Sequence, residues 1–538
     1  MSNAAFATSG IQKSQYATLP ETFFARVAPT PVADPSLIQL NRDLARELSL
    51  SVDWLESEDG VSLLAGNAGL AEVDPIAMAY AGHQFGNWVP SLGDGRAIQI
   101  GETVDAASER WGLQLKGAGP TPFSRRGDGR AAFGPVLREY VLSEAMIALG
   151  IPTTRALAFV ATGESVRRER AEPGAILTRV ARGFVRVGTF EYFAARGMAD
   201  EIRALADFVI AQRYPECADA TNPYAALLDR VVAVQAELIA RWMCVGFIHG
   251  VMNTDNMSIF GETIDYGPCA FLDDYQPDKV FSSIDAHGRY AYDQQPGIGL
   301  WNLTRFAETL VPLLADEQEP AIERAKESLG RYSGLFQQHY QEGLLRKVGL
   351  AERNEANLAI AFDFLDVMAA GRADFTLTFR ALSSLSPGDE DAERTARSLF
   401  DVPEAFEAWA ERWRVRLVDE GIPDPERMAK MKRVNPQFIA RNHRIQQAID
   451  AWVDDQDRQP FDDLLSVTAR PFEPATHLAD PADYANPPQP HQAAHQTLCG
   501  NPPRPRAPPA GLPTARCCAP PPGGTPRPPR PPAPLPPP

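Results

Sequence analysis

Between about residues 95 and 190, apolar positions fall in short runs separated by glycine turns, the pattern of β-strands. Ala97-Ile98-Gln99-Ile100 and Trp111-Gly112-Leu113-Gln114-Leu115-Lys116 form the first two runs, and 156–160 and 175–180 the later two. One helix is predicted among them at 134–149, with Val136, Leu137, Tyr140, Val141, Met146 and Leu149 in helical phase. Gly150 and Pro152 supply its stop signal. From about residue 225 to 455 the period is helical, with helices predicted at 227–247, 300–314, 357–370 and 436–452. A β-rich part with one helix, followed by a larger helical part, predicts an α+β, bilobal plan. The expected divisions are an N-terminal extension (1–74), a β-rich N-lobe (75–195), a helical C-lobe (196–480) and a C-terminal segment (481–538). Glycine loops in the first half suggest a nucleotide between the lobes.

Composition narrows the class. The chain has 538 residues, 44% hydrophobic and 22% charged, which excludes wholesale disorder and a collagen-like chain. A net charge of −17 weighs against charge-driven nucleic-acid binding. The six cysteines form no CxxC or zinc-finger spacing. The most apolar helical stretch, 225–248, is interrupted by Asp229, Arg230, Glu237 and Arg241, so no membrane span is expected. The first twenty residues lack a continuous apolar core and hold one base, Lys13, which predicts a cytoplasmic protein. A monomer is expected. Eighteen of the last 38 residues are proline, which predicts a disordered tail without a catalytic role. The composition changes abruptly after Cys499-Gly500, so both a native tail and a frameshifted end remain open.

Lysine usage points to chemistry. The chain has seven Lys among 52 basic residues, and Lys116 is the only one between residues 14 and 278. It ends an apolar run and precedes Gly117-Ala118-Gly119. A solvated strand end is one reading; a compact ammonium aimed at a nucleotide phosphate is the other. Such a lysine needs a carboxylate, and the next helix offers Glu139 and Glu144. Glu139, beside Val136 and Tyr140, is preferred. The string Gly-Asp-Gly-Arg-Ala occurs at 93–97 and again at 127–131, as two turns whose N–H groups can approach phosphate. Neither matches a P-loop.

His249-Gly250-Val251-Met252-Asn253-Thr254-Asp255-Asn256 follows the long predicted helix, and Asp265-Tyr266-Gly267 comes nine residues after Asn256. Asn and Asp donate the hard oxygen ligands that hold Mg²⁺ against a polyphosphate. A protein kinase carries HRDxxxxN and then DFG in this order. Counted from His249, the kinase asparagine falls on Asn256 and the DFG aspartate on Asp265. The kinase base falls on Val251, which cannot accept a proton. A surface turn rich in Asn and Asp is the simpler alternative.

This combination resembles the SelO (selenoprotein O) family of protein-kinase-like protein adenylyltransferases. The matching strings are Tyr80 to Gly86, Leu92 to Ala97, Gln114 to Gly119, Gly127 to Ala131, Gly188 to Glu191, His249 to Asn256 and Asp265 to Pro268. The resemblance implies a bilobal protein-kinase-like fold and an inverted ATP from which AMP is transferred to protein Ser, Thr or Tyr hydroxyls. It implies Mg²⁺ or Mn²⁺ on Asn256 and Asp265, with Asp255 as proton acceptor. Gly93, Gly95 and Arg96 would form the first nucleotide loop, with Asp128 and Gly129 in the second. Lys116 would hold phosphate and pair with Glu139, while Arg179 and Arg186 would clamp the far phosphates. Gly183-Phe184 departs from the more usual Ser-His of the family. Two other readings stay open: a kinase transferring the γ-phosphoryl group, and an inactive nucleotide-binding scaffold.

Cys269 stands four residues after Asp265, and Cys499 is the last cysteine before the Pro-rich tail. A thiol switch between them is an expectation; two unpaired thiols in a reducing cytoplasm is the alternative.

Overall fold

The computed structural model describes residues 10–68, 73–168 and 170–492. Among them the strands are, in chain order, β1 (Phe24–Arg26), β2 (Ser36–Leu40), β3 (Ile76–Met78), β4 (Gly82–Gln84), β5 (Asn87–Val89) and β6 (Ala97–Val104). They continue with β7 (Arg110–Lys116), β8 (Ala131–Ala132), β9 (Arg155–Arg167), β10 (Ala171–Ala181), β11 (Phe247–Ile248) and β12 (Ala270–Phe271). Eight strands make one antiparallel sheet in the order β1-β3-β6-β7-β10-β9-β2, with β8 paired to β10. The runs predicted from alternation are its centre: β6, β7, β9 and β10.

Register decides which side chains reach the site. Lys116 lies opposite Ala97 and Leu177, and Gln114 opposite Gln99 and Arg179. One sheet face therefore carries Gln99, Gln114, Lys116 and Arg179. The other carries Ile98, Leu113, Leu115 and Val180, packed with Leu44, Leu55 and Leu63. Those leucines come from short helices between Arg42 and Leu64, and β1 and β2 lie at the two ends of the sheet order. The described residues between Phe24 and Leu64, within the expected extension, thus add two strands to the sheet and cover one face of it. The predicted helix at 134–149 is Phe133–Ala148, and its Phe133, Leu137 and Val141 share a core with Phe159 and Leu177 of the polar face.

The rest of the chain is mainly helical. Pro223–Cys244 is the long helix predicted at 227–247; Asn222 caps it by accepting the N–H groups of Tyr224 and Ala225. It ends earlier than predicted because Gly246 turns at φ +71° into β11. Gln295–Leu314 and Glu355–Ala370 match predicted helices, with the first starting five residues sooner. The helix predicted at 436–452 is instead Asn442–Asp455. The N–H groups of Gln437 and Phe438 are spent on Pro471 O, so these residues dock as irregular chain. No helix among the described residues is long and apolar enough to cross a membrane. The Pro-rich tail lies outside the described residues.

Arg441 ties the helical part together. Its wholly buried guanidinium sits 2.6 Å from Asp273 and 2.9 Å from Asp374, and its Nε donates to Ala485 O at 2.9 Å. Asp374 also caps the Phe375–Leu382 helix through Leu377 N. Arg441→Met would leave one buried carboxylate, Asp374, and one half-buried, Asp273, uncompensated, so a loss of about 3–5 kcal/mol is expected in urea unfolding. A loss below about 1 kcal/mol, the range of exposed ion pairs, would contradict this account.

Candidate active site

Five charged groups from five separate segments converge at the floor of a cavity. Lys116, at the end of β7, donates to Glu139 Oε2 at 2.5 Å and to Asp265 Oδ1 at 3.0 Å. Arg179 on β10 donates to Glu139 Oε1 at 2.5 Å, to Asp265 Oδ1 at 2.6 Å and to Gln114 Oε1 at 3.2 Å. Arg186 precedes the Val187–Ala194 helix; its Nη1 donates to Asp265 Oδ2 and to the backbone oxygen of Asp255, each at 2.6 Å. Its guanidinium also lies over the Tyr80 ring, 4.7 Å from the centroid. Burial pushes both carboxyls upward. Arg179 and Lys116 outweigh it at Glu139, and with Arg186 they hold Asp265 well below the usual carboxylate range. Burial also lowers the Lys116 ammonium, with Glu139 opposing. Glu144, the alternative partner for Lys116, turns instead to Arg155 and Asn41, each at 2.8 Å.

The string 249–256 and the 265–267 turn lie between β11 and β12, whose pairing holds their outer ends together. His249 Nε2 bonds Ile264 O at 2.9 Å, and burial keeps the imidazole low and neutral. This places Asp265 at φ +65°, a left-handed backbone costing roughly 1–2 kcal/mol in a non-glycine residue. Three consecutive side chains of the string then fix the β4–β5 hairpin. Asn253 Oδ1 accepts Phe85 N at 3.0 Å, Thr254 Oγ1 accepts His83 N at 2.7 Å, and Asp255 Oδ2 accepts Gln84 Nε2 at 3.2 Å. Asp255 Oδ1 is buried without a hydrogen-bond partner. Burial pushes this carboxyl up to about 6, with Arg186 and Gln84 opposing. Asn256 donates its amide to Val251 O at 3.0 Å, leaving its carbonyl oxygen as the atom available to a cation.

Both glycine loops border the same cavity, of about 640 Å³. Its lining includes Gly93, Gly95, Arg96, Lys116, Asp128, Gly129, Glu139, Arg179, Arg186, Asp255, Asn256 and Asp265. The two loops are locked together. Thr121 Oγ1 donates to Asp94 O at 2.7 Å and Ser124 Oγ to Gly95 O at 2.5 Å. A Cβ on Gly93 would sit 2.3 Å from the Phe123 ring, and one on Gly129 2.0 Å from Gly119 C. Both glycines also have positive φ, so the loops exclude side chains at these two positions.

A family model described as "Protein adenylyltransferase SelO" matches residues 9–469. The chain belongs to the SelO family of protein adenylyltransferases. It is 57% identical over 487 residues to the protein nucleotidyltransferase YdiU of Rhodopseudomonas palustris (strain BisB18), covering 90% of this chain and 98% of the relative. It is 58% identical over 488 residues to that of Bradyrhizobium diazoefficiens, covering 91% and 98%. With that of Methylorubrum extorquens it shares 57% over 492 residues, covering 90% and 98%.

In this SelO-family chain every nucleotide, metal and base position read from sequence faces one cavity. The residues that hold them in place were not read. Gln84 lies in a string quoted for its resemblance, yet its bond to Asp255 depends on a contact across 171 residues. Asp94 bonds Gln114 and Met78 N and so fixes the amide beside Arg179. The departure at Gly183 has a local cause, since a Cβ there would meet Phe260 at 2.4 Å. Cys269 is wholly buried, its thiol pushed up to about 12, and its partner in the expected switch, Cys499, lies outside the described residues.

Gly82 is the tightest constraint on the position of the Asp255 carboxylate. A Cβ at residue 82 would lie 2.6 Å from Asp255 Oδ1. Gly82→Ala should lower kcat by about tenfold or more, as misplaced catalytic groups do, while ATP affinity is kept. Unchanged kcat in a steady-state assay would show that Asp255 has room to move without consequence.

Proposed function

We propose that this protein transfers AMP from ATP to hydroxyl groups of Ser, Thr or Tyr in other proteins, releasing pyrophosphate. One observation carries the reading: three buried cations, Lys116, Arg179 and Arg186, converge on Asp265 beside an Asp255 oxygen that has no partner. The cations suit the far phosphates, and the kinase-like order of Lys116, Glu139, Asn256 and Asp265 supports a bilobal, kinase-like arrangement around the nucleotide. The glycine loops border the space for the nucleotide, with Arg96 and Asp128 at their edges. The N–H groups of Gly93, Asp94 and Gly95 are taken by the carbonyls of Tyr80, Met78 and Gly93, so the first loop contributes shape and the Arg96 charge rather than N–H donors.

The residues present fit a divalent cation. Among the described residues no three His, Cys, Asp or Glu side chains gather into a cage. One amide oxygen and one carboxylate, from Asn256 and Asp265, suit a cation such as Mg²⁺ or Mn²⁺ that takes its remaining ligands from phosphate and water. When bound, that ion would neutralise charge on the phosphates. Lys116, Arg179 and Arg186, now held by Asp265, would then share the phosphate oxygens.

In the transfer step the acceptor oxygen bonds to the α-phosphorus as the bond from that phosphorus to the β-bridging oxygen breaks. The electron pair leaves with pyrophosphate, where the three cations stabilise it. The hydroxyl proton passes to Asp255 Oδ1, while Gln84 holds Oδ2. A γ-phosphoryl kinase would place its base at residue 251, and Val251 offers none.

ATP labelled at the α position should mark protein, with a mass gain of AMP; label arriving only from the γ position would refute the reading. Asp255→Asn should reduce transfer at least about a hundredfold, as loss of a general base does, with ATP affinity nearly kept. Asp265→Asn should weaken metal-dependent ATP binding as well. Equal loss of ATP binding in both variants, measured by calorimetry, would make Asp255 a ligand rather than a base. Arg186→Gln should weaken ATP more than AMP, because guanidinium bonds to the far phosphates exist only in the triphosphate. Equal weakening of both ligands would place Arg186 away from those phosphates.

A further inference from the structure

The β4–β5 hairpin has two faces, and Asp255 meets only one of them. Gly82 and Gln84 face Asp255. His83, between them, points the other way, with Nδ1 2.6 Å from Glu191 and its ring 4.9 Å from Trp88 and 5.3 Å from Trp301. Trp88 on β5 is 38% exposed, an unusual place for a large apolar ring on a chain of net charge −17. Arg289 completes this face. Its guanidinium lies 4.7 Å from the Trp301 centroid and packs on Gly86 at the hairpin turn, where a Cβ would be 3.5 Å from Cζ.

Arg289 has a charge without a counter-charge. It meets the Tyr290 hydroxyl, its Nε is buried with no hydrogen-bond partner, and no carboxylate among the described residues is ion-paired with it. The nearby Asp285 carboxylate is turned to the backbone N–H groups of Arg289 and Tyr290 instead, at 2.9 and 2.8 Å. Arg305, on the same ring, differs: Glu308 takes it at 2.6 Å. An exposed Trp and an unneutralised, half-buried Arg, linked through the His83 and Trp301 rings, are residue types that dominate binding energy at protein interfaces.

We propose that the face formed by Trp88, Arg289 and Trp301 docks the acceptor protein, through an extended segment carrying a carboxylate near the hydroxyl that is modified. The proposal rests on the reading of Asp255 as proton acceptor. Its physical basis is registration: side chains of Asn253, Thr254 and Asp255 each bind the hairpin, so a segment seated on its outer face has a fixed position relative to Asp255. The free guanidinium supplies charge complementarity for a carboxylate, and Trp88 supplies apolar area at small entropic cost.

The test uses the full chain and two fluorescein-labelled peptides, each with one Ser, flanked by Glu in one and by Lys in the other. Binding by anisotropy at ~0.15 M salt, where the net charge of the whole chain is screened, should favour the Glu peptide by about tenfold, and salt raised to ~1 M should erase the preference. Arg289→Glu should weaken the Glu peptide by about tenfold or more, and Trp88→Ala by a similar factor, the size expected of interface anchors. ATP affinity and thermal midpoint should stay at wild-type values in both variants. If the two peptides bind alike, if neither binds, or if both variants bind the Glu peptide as wild type does, the docking face is wrong. Transfer of α-label to bulk cellular protein separates the two readings. Absence of any label removes the adenylyl-transfer reading; label together with indistinguishable peptides removes only the docking face.

Discussion

Asp265 holds Lys116, Arg179 and Arg186 with two oxygens, and the nucleotide end of the site depends on that arrangement. Two like charges 4 Å apart repel by about 4 kcal/mol even at an effective dielectric constant near 20. Arg179 and Arg186 are 1% and 3% exposed, so water does little to screen them. Glu139 and Asp265 are what allow three cations to share one floor. The same ion pairs pin β7, β10, the Phe133–Ala148 helix, the approach to the Val187–Ala194 helix and the 265–267 turn to one point. A polyphosphate entering here meets donors that are already gathered and oriented, which is the condition for electrostatic stabilisation without reorganisation.

Asp255 and Asp265 are ten residues apart and live in opposite environments. Asp265 is over-supplied with cations and stays ionised. Asp255 has one amide on one oxygen and nothing on the other, and burial pushes it to about 6. Carboxylates whose surroundings push them apart in this way suit different tasks, which supports the proposed division between charge binding at Asp265 and proton exchange at Asp255. The division comes from position alone: a strained left-handed turn aims Asp265 at the cations, while the hairpin screens Asp255 from water.

What could be read from sequence was what depends on near neighbours or on rarity. The central strands follow from alternation, the Phe133–Ala148 helix from its period and its Gly150 stop, and Lys116 from the scarcity of lysine. Glu139 rather than Glu144 followed from its place beside the apolar stripe. The positions that the family resemblance assigned also meet in one cavity. What could not be read are contacts between distant segments that leave no periodic mark. The helices between Arg42 and Leu64 close one sheet face, Gln84 reaches Asp255, and Pro471 draws 437–438 out of a helix. Each pairs residues of ordinary composition, so each is visible only once the chain has folded.

Val251 stands where a kinase keeps its base, and the proposed base, Asp255, lies four residues on in a different backbone setting. Thr254–Asn256 is a single 3-10 turn, in which successive side chains diverge by about 120°. Asp255 therefore turns to Gln84 of the hairpin while Asn256 turns back to Val251 O. Asp255 and Asn256 are thus neighbours in sequence whose side chains point to different partners, a divergence set by the backbone rather than by flexible side chains. With Asp255 as the proposed proton acceptor, the hairpin side is the approach left to a protein hydroxyl, because the glycine loops and the cationic floor line the rest of the cavity. The hairpin thus has two faces: Gly82 and Gln84 meet Asp255, while His83 and Trp88 belong to the proposed docking face.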